Sequence, residues 1–251
     1  MLDVLDLQKR YYVFDKNTIK SFIKMCNGFT AYTLEKPKKS NSTDIFYDSS
    51  KRILEENGLL LRKRIMGAKS HIKLKRRFSE PQHFYSDALR KHEREKEVLT
   101  KEPLSKHFFF LNNALNSMYS TALNFDPDKL FEQMKVILTI DIKETSWKVF
   151  GAGGFKAVIN HDVMSIKNYQ TKRKNTCELI QIKMLSADST LPYFQDFITK
   201  IEKHCKEIFF TQDSRYEIAQ RLTKPLPTKE ELKKLQRERA LAAAEAEGTK
   251  K

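Results

Sequence analysis

GLLLRKRIMGAKSHIKLKRR, residues 58–77, carries eight basic side chains and no carboxylate. The pattern predicts two strands joined by a short turn around residues 66–68, where Gly67 takes a positive φ. Strand alternation places Arg62 and Arg64 on one face of the first strand. It groups His71, Lys73, Lys75 and Arg77 on one face of the second. Pairing the two strands sets like charges side by side, which destabilises a bare sheet. Forked guanidiniums beside ammonium groups suit phosphate oxygens, so an anion is the expected occupant. A solvated basic face is the plainer alternative.

Immediately upstream, DIFYDSSKRILEENGLLLRKR (44–64) reads as a strand ending in Phe46-Tyr47-Asp48-Ser49. A short helical or turn segment follows, then Gly58-x-x-Leu61-Arg62-x-Arg64. This resembles the signature of the CYTH, or triphosphate tunnel, superfamily. There a strand ending Tyr-(Tyr/Phe)-Asp-(Thr/Ser) leads into Gly-x-x-Leu-Arg-x-Arg. His71-Ile72-Lys73-Leu74-Lys75 is similar to the family's Lys-bearing hairpin strand. Lys91-x-Glu93-x-Glu95 is similar to its Arg-x-Glu-x-Glu strand, with Lys in place of Arg. Ser214-Arg215-Tyr216-Glu217-Ile218-Ala219 resembles its closing Ser-Lys-Tyr-x-x-Ala.

The resemblance runs over residues 6–222 and implies an antiparallel β-barrel, a tunnel of about eight strands with covering helices. It implies phosphate contacts from Arg10, Arg62, Arg64, Lys73, Lys75, Lys91, Lys143, Lys156 and Lys183. Glu93 and Glu95 are the implied catalytic and metal-binding acids, with Asp162 and Asp6 as further ligands of Mg2+ or Mn2+. The implied substrates are tripolyphosphate, polyphosphate, thiamine triphosphate, a nucleoside triphosphate or an RNA 5′-triphosphate. The Arg-Tyr-Tyr-Val opening and the Lys-rich hairpin also resemble the polyphosphate-polymerase branch. Two departures stand out. Where the family's first strand has Glu-x-Glu-x-Lys, this chain has Asp6-x-Gln8-x-Arg10, and Gln181 of Gln181-x-Lys183 stands where another acid is expected. Glutamine brings no anionic charge to a metal. A metal-dependent phosphohydrolase or phosphotransferase and a catalytically weakened phosphate-chain binding module therefore both remain open. A general duplex-binding protein is a third reading.

The chain is long enough for a proper core. Its net charge of +15 and sequence pI near 9.6 predict an anionic partner. Residues 228–251 hold seven basic and five acidic side chains, so the excess sits outside that stretch. Residues 1–222 are expected to form the tunnel domain and 223–251 a Lys/Glu/Ala-rich tail. Cys26, Cys177 and Cys205 are far apart and lack C-x-x-C spacing, which fits a reducing cytoplasm and argues against zinc. No basic n-region precedes an apolar core at the N-terminus, and no run reaches the ~20 apolar residues of a membrane span.

In chain order, 4–14 reads as a strand with Asp6, Gln8, Arg10 and Tyr12 on one face. Residues 16–27 read as a helix stopped at Asn27-Gly28, and KPKKSNST as a surface loop before a strand entering at Asp44. KHEREKEVL (91–99) fits a strand with Glu93, Glu95 and Glu97 aligned, or a salt-bridged helix. Residues 104–133 read as helix, 135–150 as one long strand or a bent pair, and 155–168 and 176–185 as strands. Asp162 lies on the strand or in a turn after it. Residues 191–209 and 213–222 are expected to be helices.

Overall fold

The computed structural model describes residues 8–76, 93–118, 126–186 and 188–225. The architecture is α+β, built on one antiparallel sheet. Its strands are β1 Gln8–Val13, β2 Tyr32–Leu34, β3 Lys38–Asp48, β4 Leu59–Met66, β5 Lys69–Arg76, β6 Glu93–Leu99, β7 Lys135–Gly151, β8 Lys156–Asn168, β9 Lys174–Met184 and β10 Ile208–Thr211. The helices are α1 Lys16–Asn27, α2 Ile53–Glu56, α3 Phe108–Met118, α4 Pro127–Glu132, α5 Leu191–His204 and α6 Arg215–Leu222. Strand order is β10-β1-β9-β8-β7-β3-β4-β5-β6, with β2 paired to the end of β7. No pairing joins β6 to β10 among the described residues.

The basic hairpin forms as expected. β4 and β5 pair from Leu59↔Arg76 to Met66↔Lys69, and Gly67 turns the chain at φ 64°. Residues 93–99 are a strand and not a helix, because their acids meet the lysines of β5 at Lys73↔Glu95 and Lys75↔Glu93.

Three expectations are corrected. The polar stretch 38–43 is not a loop but the first half of β3, laddered to β7 from Lys38↔Ser146 onward. Its lysines and serines hid the strand because residues 38–41 are exposed on both faces. The long helix over 104–133 is instead a 3-10 turn at Leu104–His107, then α3, and then α4 after Pro127. Finally, α5 stops at His204, and Ile208–Thr211 is recruited as β10 by β1 through Val13↔Ile208 and its neighbours.

Alternation gives the sheet two differently dressed faces. On the outer face, α1 and α5 cover one half, where Phe22, Cys26, Phe197 and Ile201 pack on Tyr11, Ile159, Ile180 and Ile182. α2, α3 and α4 cover the other half over Leu59, Leu61, Ile72 and Leu74. Each such buried side chain contributes ~1.5–3 kcal/mol. The inner face holds α6, whose Tyr216, Ile218 and Ala219 pack on Phe46, Leu138, Ile140, Ile142, Met164 and Leu179. Beyond this apolar half, the inner-face positions of the same strands become polar.

α6 is fixed at its start by a capping box. Ser214 Oγ accepts from Glu217 N, and the Glu217 carboxylate accepts from Ser214 N at 2.7 Å. That cap sets where Arg215, the first helical residue, projects.

Candidate functional site

Register alone assembles most of the expected phosphate contacts on the inner face. Arg62 pairs with Lys73 and Phe46, and Arg64 with His71 and Asp44. On the other side of the sheet's centre, Arg10 pairs with Gln181 and Gln8 with Lys183. Lys75 and Glu95 share the same face through β5 and β6. Glu93 stands opposite Lys75 in the ladder. Lys156 has inner-face parity but sits exposed at the first position of β8. Lys143 does not join them: it is exposed on the outer face, opposite Val163, because its neighbour Glu144 takes the inner position. Asp6 and Lys91 lie outside the described residues.

At the centre of this face are two ion-pair systems. Asp44 is 1% exposed and accepts from Arg64 Nε and Nη2, both at 2.6 Å. Arg62 Nη1 lies 3.7 Å from the same carboxylate. Burial alone would raise the Asp44 pKa, but the Arg64 hydrogen bonds and the charges of Arg62, Arg64 and Arg215 outweigh it and hold the group below the ordinary carboxylate range. Burial lowers the Arg62 pKa, whereas Arg64, against the same burial, is raised by its bonds to Asp44. Arg62 Nε is buried and has no hydrogen-bond partner.

The second system is anchored by α6. Arg215 donates from Nε and Nη2 to Asp162 Oδ2 at 2.9 and 2.5 Å, and its Nη2 lies 3.6 Å from Glu144 Oε2. Asp162 is fully buried on β8 rather than in a turn, and its Oδ1 has no hydrogen-bond partner. Glu144 stands directly opposite it on β7. Burial first, then the Asp162 charge, raises the Glu144 pKa.

Towards the β6 edge, Glu95 meets Lys73 Nζ at 2.8 Å and His71 Nδ1 at 3.2 Å. At the opposite end, Gln181 Nε2 donates to Gln8 Oε1 at 2.5 Å, so the two glutamines satisfy one another.

This donor set does not fit the expected divalent cation. Mg2+ and Mn2+ want several carboxylate or neutral oxygens free to converge. Here Asp162 is engaged by Arg215, Glu95 by Lys73 and His71, and Gln8 and Gln181 are neutral. Among the described residues, no group of three or more His, Cys, Asp or Glu is arranged to hold a metal ion.

Sequence reasoning missed Asp44, Glu144 and Arg215 as members of the site. Glu144 was legible in principle, since it continues the inner-face alternation of Ile140 and Ile142. Arg215 lay within a recognised motif, but nothing in the sequence placed it beside a residue 53 positions earlier. No helix among the described residues is long and apolar enough to cross a membrane.

No protein-family model matches the chain, and no curated protein matches it by sequence. Solved structures do. A putative adenylate cyclase from Bacillus halodurans is 13% identical, with 87% of this chain and 98% of that chain covered, at a TM-score of 0.46. A putative adenylyl cyclase from Hippeastrum, described as having a dominant triphosphatase activity, is 13% identical over 89% of this chain and 98% of that chain, at a TM-score of 0.48. The triphosphatase of the mimivirus capping enzyme is 8% identical over 77% of this chain and 89% of that chain, at a TM-score of 0.35. The solved structures that this chain resembles are thus adenylate-cyclase-like proteins and triphosphatases, consistent with the CYTH, or triphosphate tunnel, superfamily.

Proposed function

We propose that the inner face binds the phosphates of a linear triphosphate group, carried by tripolyphosphate, polyphosphate, a nucleoside triphosphate or an RNA 5′-end. One observation carries this reading. Arg62 and Arg64 stand side by side with only Asp44 between them, and the buried Arg62 Nε is left without an acceptor. Buried donors are normally satisfied, so this one calls for an oxygen. Two adjacent guanidiniums sharing one carboxylate leave a net positive site suited to bidentate phosphate contacts. Lys73, Lys75, Arg10 and Lys183 extend it in both directions along the face.

The test is calorimetric titration of tripolyphosphate in EDTA, then in Mg2+ and Mn2+. Arg62→Ala should weaken binding by ~1.5–3 kcal/mol, the worth of a charge-assisted contact. Equal affinity for wild type and the Arg62→Ala/Arg64→Ala double variant would overturn the proposal. Phosphate release from tripolyphosphate, ATP and long polyphosphate, followed in the same buffers, tests turnover.

Hydrolysis is the second reading, and Glu144 favours it. A carboxylate with a raised pKa, beside the unpartnered Oδ1 of Asp162, is suited to take a proton from an attacking water. Glu144→Gln and Glu95→Gln should then each stop phosphate release while leaving chain binding intact. Full turnover in Glu144→Gln removes that role from Glu144. Full turnover in Glu95→Gln assigns Glu93 and Glu95 to the edge ion pairs alone.

A further inference from the structure

The most strongly charged surface outside the inner face is the turn between β8 and β9. From residue 163 to 177 the chain carries no carboxylate, while Lys167, Lys172, Arg173 and Lys174 fall close together. Lys167 and Lys174 are directly opposed across the hairpin. Such like-charge pairing is unfavourable without an external anion. Among the described residues, none of these four cations, nor neighbouring Lys224, forms an ion pair with a carboxylate. Tyr169 stands among them, 44% exposed, with Lys167 Nζ 4.3 Å from its ring centroid.

The turn is rigidly presented. Asn168 is buried, its Oδ1 accepts from Gln170 N and Thr171 N, and its Nδ2 donates to Thr223 Oγ1 at 3.0 Å. Arg173 Nη1 donates to Lys224 O at 2.9 Å, and Asn175 Nδ2 to Leu222 O at 3.0 Å. These contacts tie the turn to the end of α6, so its cations and ring are held in place before any ligand arrives.

We infer that this hairpin is a second anion-binding surface, which takes single-stranded nucleic acid: backbone phosphates on Lys167, Lys172 and Lys174, and a base stacked on Tyr169. Cations flanking an exposed ring are the arrangement that binds single strands without sequence preference. Lys167 is five residues along β8 from Asp162, about 17 Å, and on the opposite face. The surface is therefore separate from the inner face and stands independently of the triphosphate reading.

The test uses the full chain and a fluorescent 5′-hydroxyl oligouridine of about 15 nucleotides, which has no triphosphate to offer the inner face. Anisotropy titrations over a salt series give affinity and salt slope. For Lys172→Gln/Lys174→Gln, the slope should fall by about two, one for each lost phosphate contact. Tyr169→Ala should weaken binding about fivefold or more through lost stacking. Both variants should keep wild-type melting temperatures and tripolyphosphate affinity, since the altered side chains are exposed. Any of four results would overturn the inference: unchanged RNA affinity in both variants; loss of RNA binding in Arg62→Ala/Arg64→Ala; equal affinity for duplex of the same length; or binding to anionic phosphatidylserine vesicles but not to the oligonucleotide.

Discussion

Replacing Asp44 with asparagine separates the two roles of the inner face, because that carboxylate holds the arginines together and competes with phosphate for them. Asp44→Asn keeps the shape and removes the charge. The lost set is two 2.6 Å bonds to Arg64 and a 3.7 Å contact to Arg62. Breaking a buried ion pair by deleting one partner costs ~3–5 kcal/mol. Here the carboxylate is 1% exposed but the guanidiniums are 22–23% exposed, so water reaches one side of the pair. That discount leaves roughly 2–3 kcal/mol, a fall in Tm of roughly 5–10 °C for a domain of this size.

The pH dependence follows from the depressed pKa. A lowered folded-state value means the contribution is complete above the unfolded value of 3.8 and drains as pH falls through the folded one. The stability gap between wild type and Asp44→Asn should therefore hold across neutral pH and close only in strong acid. Calorimetric melts at several pH values check this. Tripolyphosphate affinity should move the other way, rising about tenfold or more as the resident anion is removed. A variant that melts within a degree of wild type, or that binds tripolyphosphate more weakly, would refute the reasoning.

Lys63 sits within the same basic run but should behave oppositely to its neighbours. It is buried on the outer face, donating from Nζ to Thr100 O at 2.9 Å and Glu102 O at 2.7 Å. Lys63→Met should cost ~1–3 kcal/mol in urea unfolding through the orphaned carbonyls and leave tripolyphosphate affinity unchanged. Glu144→Gln should raise Tm at pH 7: a raised folded-state pKa makes the ionised carboxylate a liability above the unfolded value of 4.5. That gain should shrink as melts are taken down towards the same pH.

The fold was legible where two kinds of pattern agreed. In β4 and β5, period-two alternation, a glycine that turns with positive φ and an acid-free charge run all pointed to one hairpin, and that hairpin is present. α1 was equally plain, with Asp15 capping Asn17 N at one end and Gly28 closing the other. Legibility failed where tertiary pairing overrode composition. Residues 38–43 lack apolar alternation because neither face of that half-strand meets a core, yet the ladder to β7 still fixes their backbone. Ile208–Thr211 followed a strong helical pattern without a break signal, and only the open edge of β1 makes it a strand.

The site was half legible for a related reason. Alternation found the cations, because a strand's own periodicity says which side chains share a face. It could not find the anions that neutralise them, because those arrive from other elements. Asp44 reaches Arg64 across a neighbouring strand, and Asp162 meets Arg215 from a helix near the end of the described chain. The consequence is chemical. A reading from the basic residues alone expects an open electropositive channel in which any phosphate gains the full attraction of each cation. With Asp44, Asp162 and Glu95 already held by cations, an entering phosphate must exchange with a resident carboxylate, and its affinity is the difference between two charge-assisted pairings. The Gln8–Gln181 pair is the exception: its amides bring no charge where it sits, directly beside Arg10 and Lys183. Restoring carboxylates there would extend the exchange requirement across the face, so on electrostatic grounds the two glutamines favour phosphate and oppose a cation.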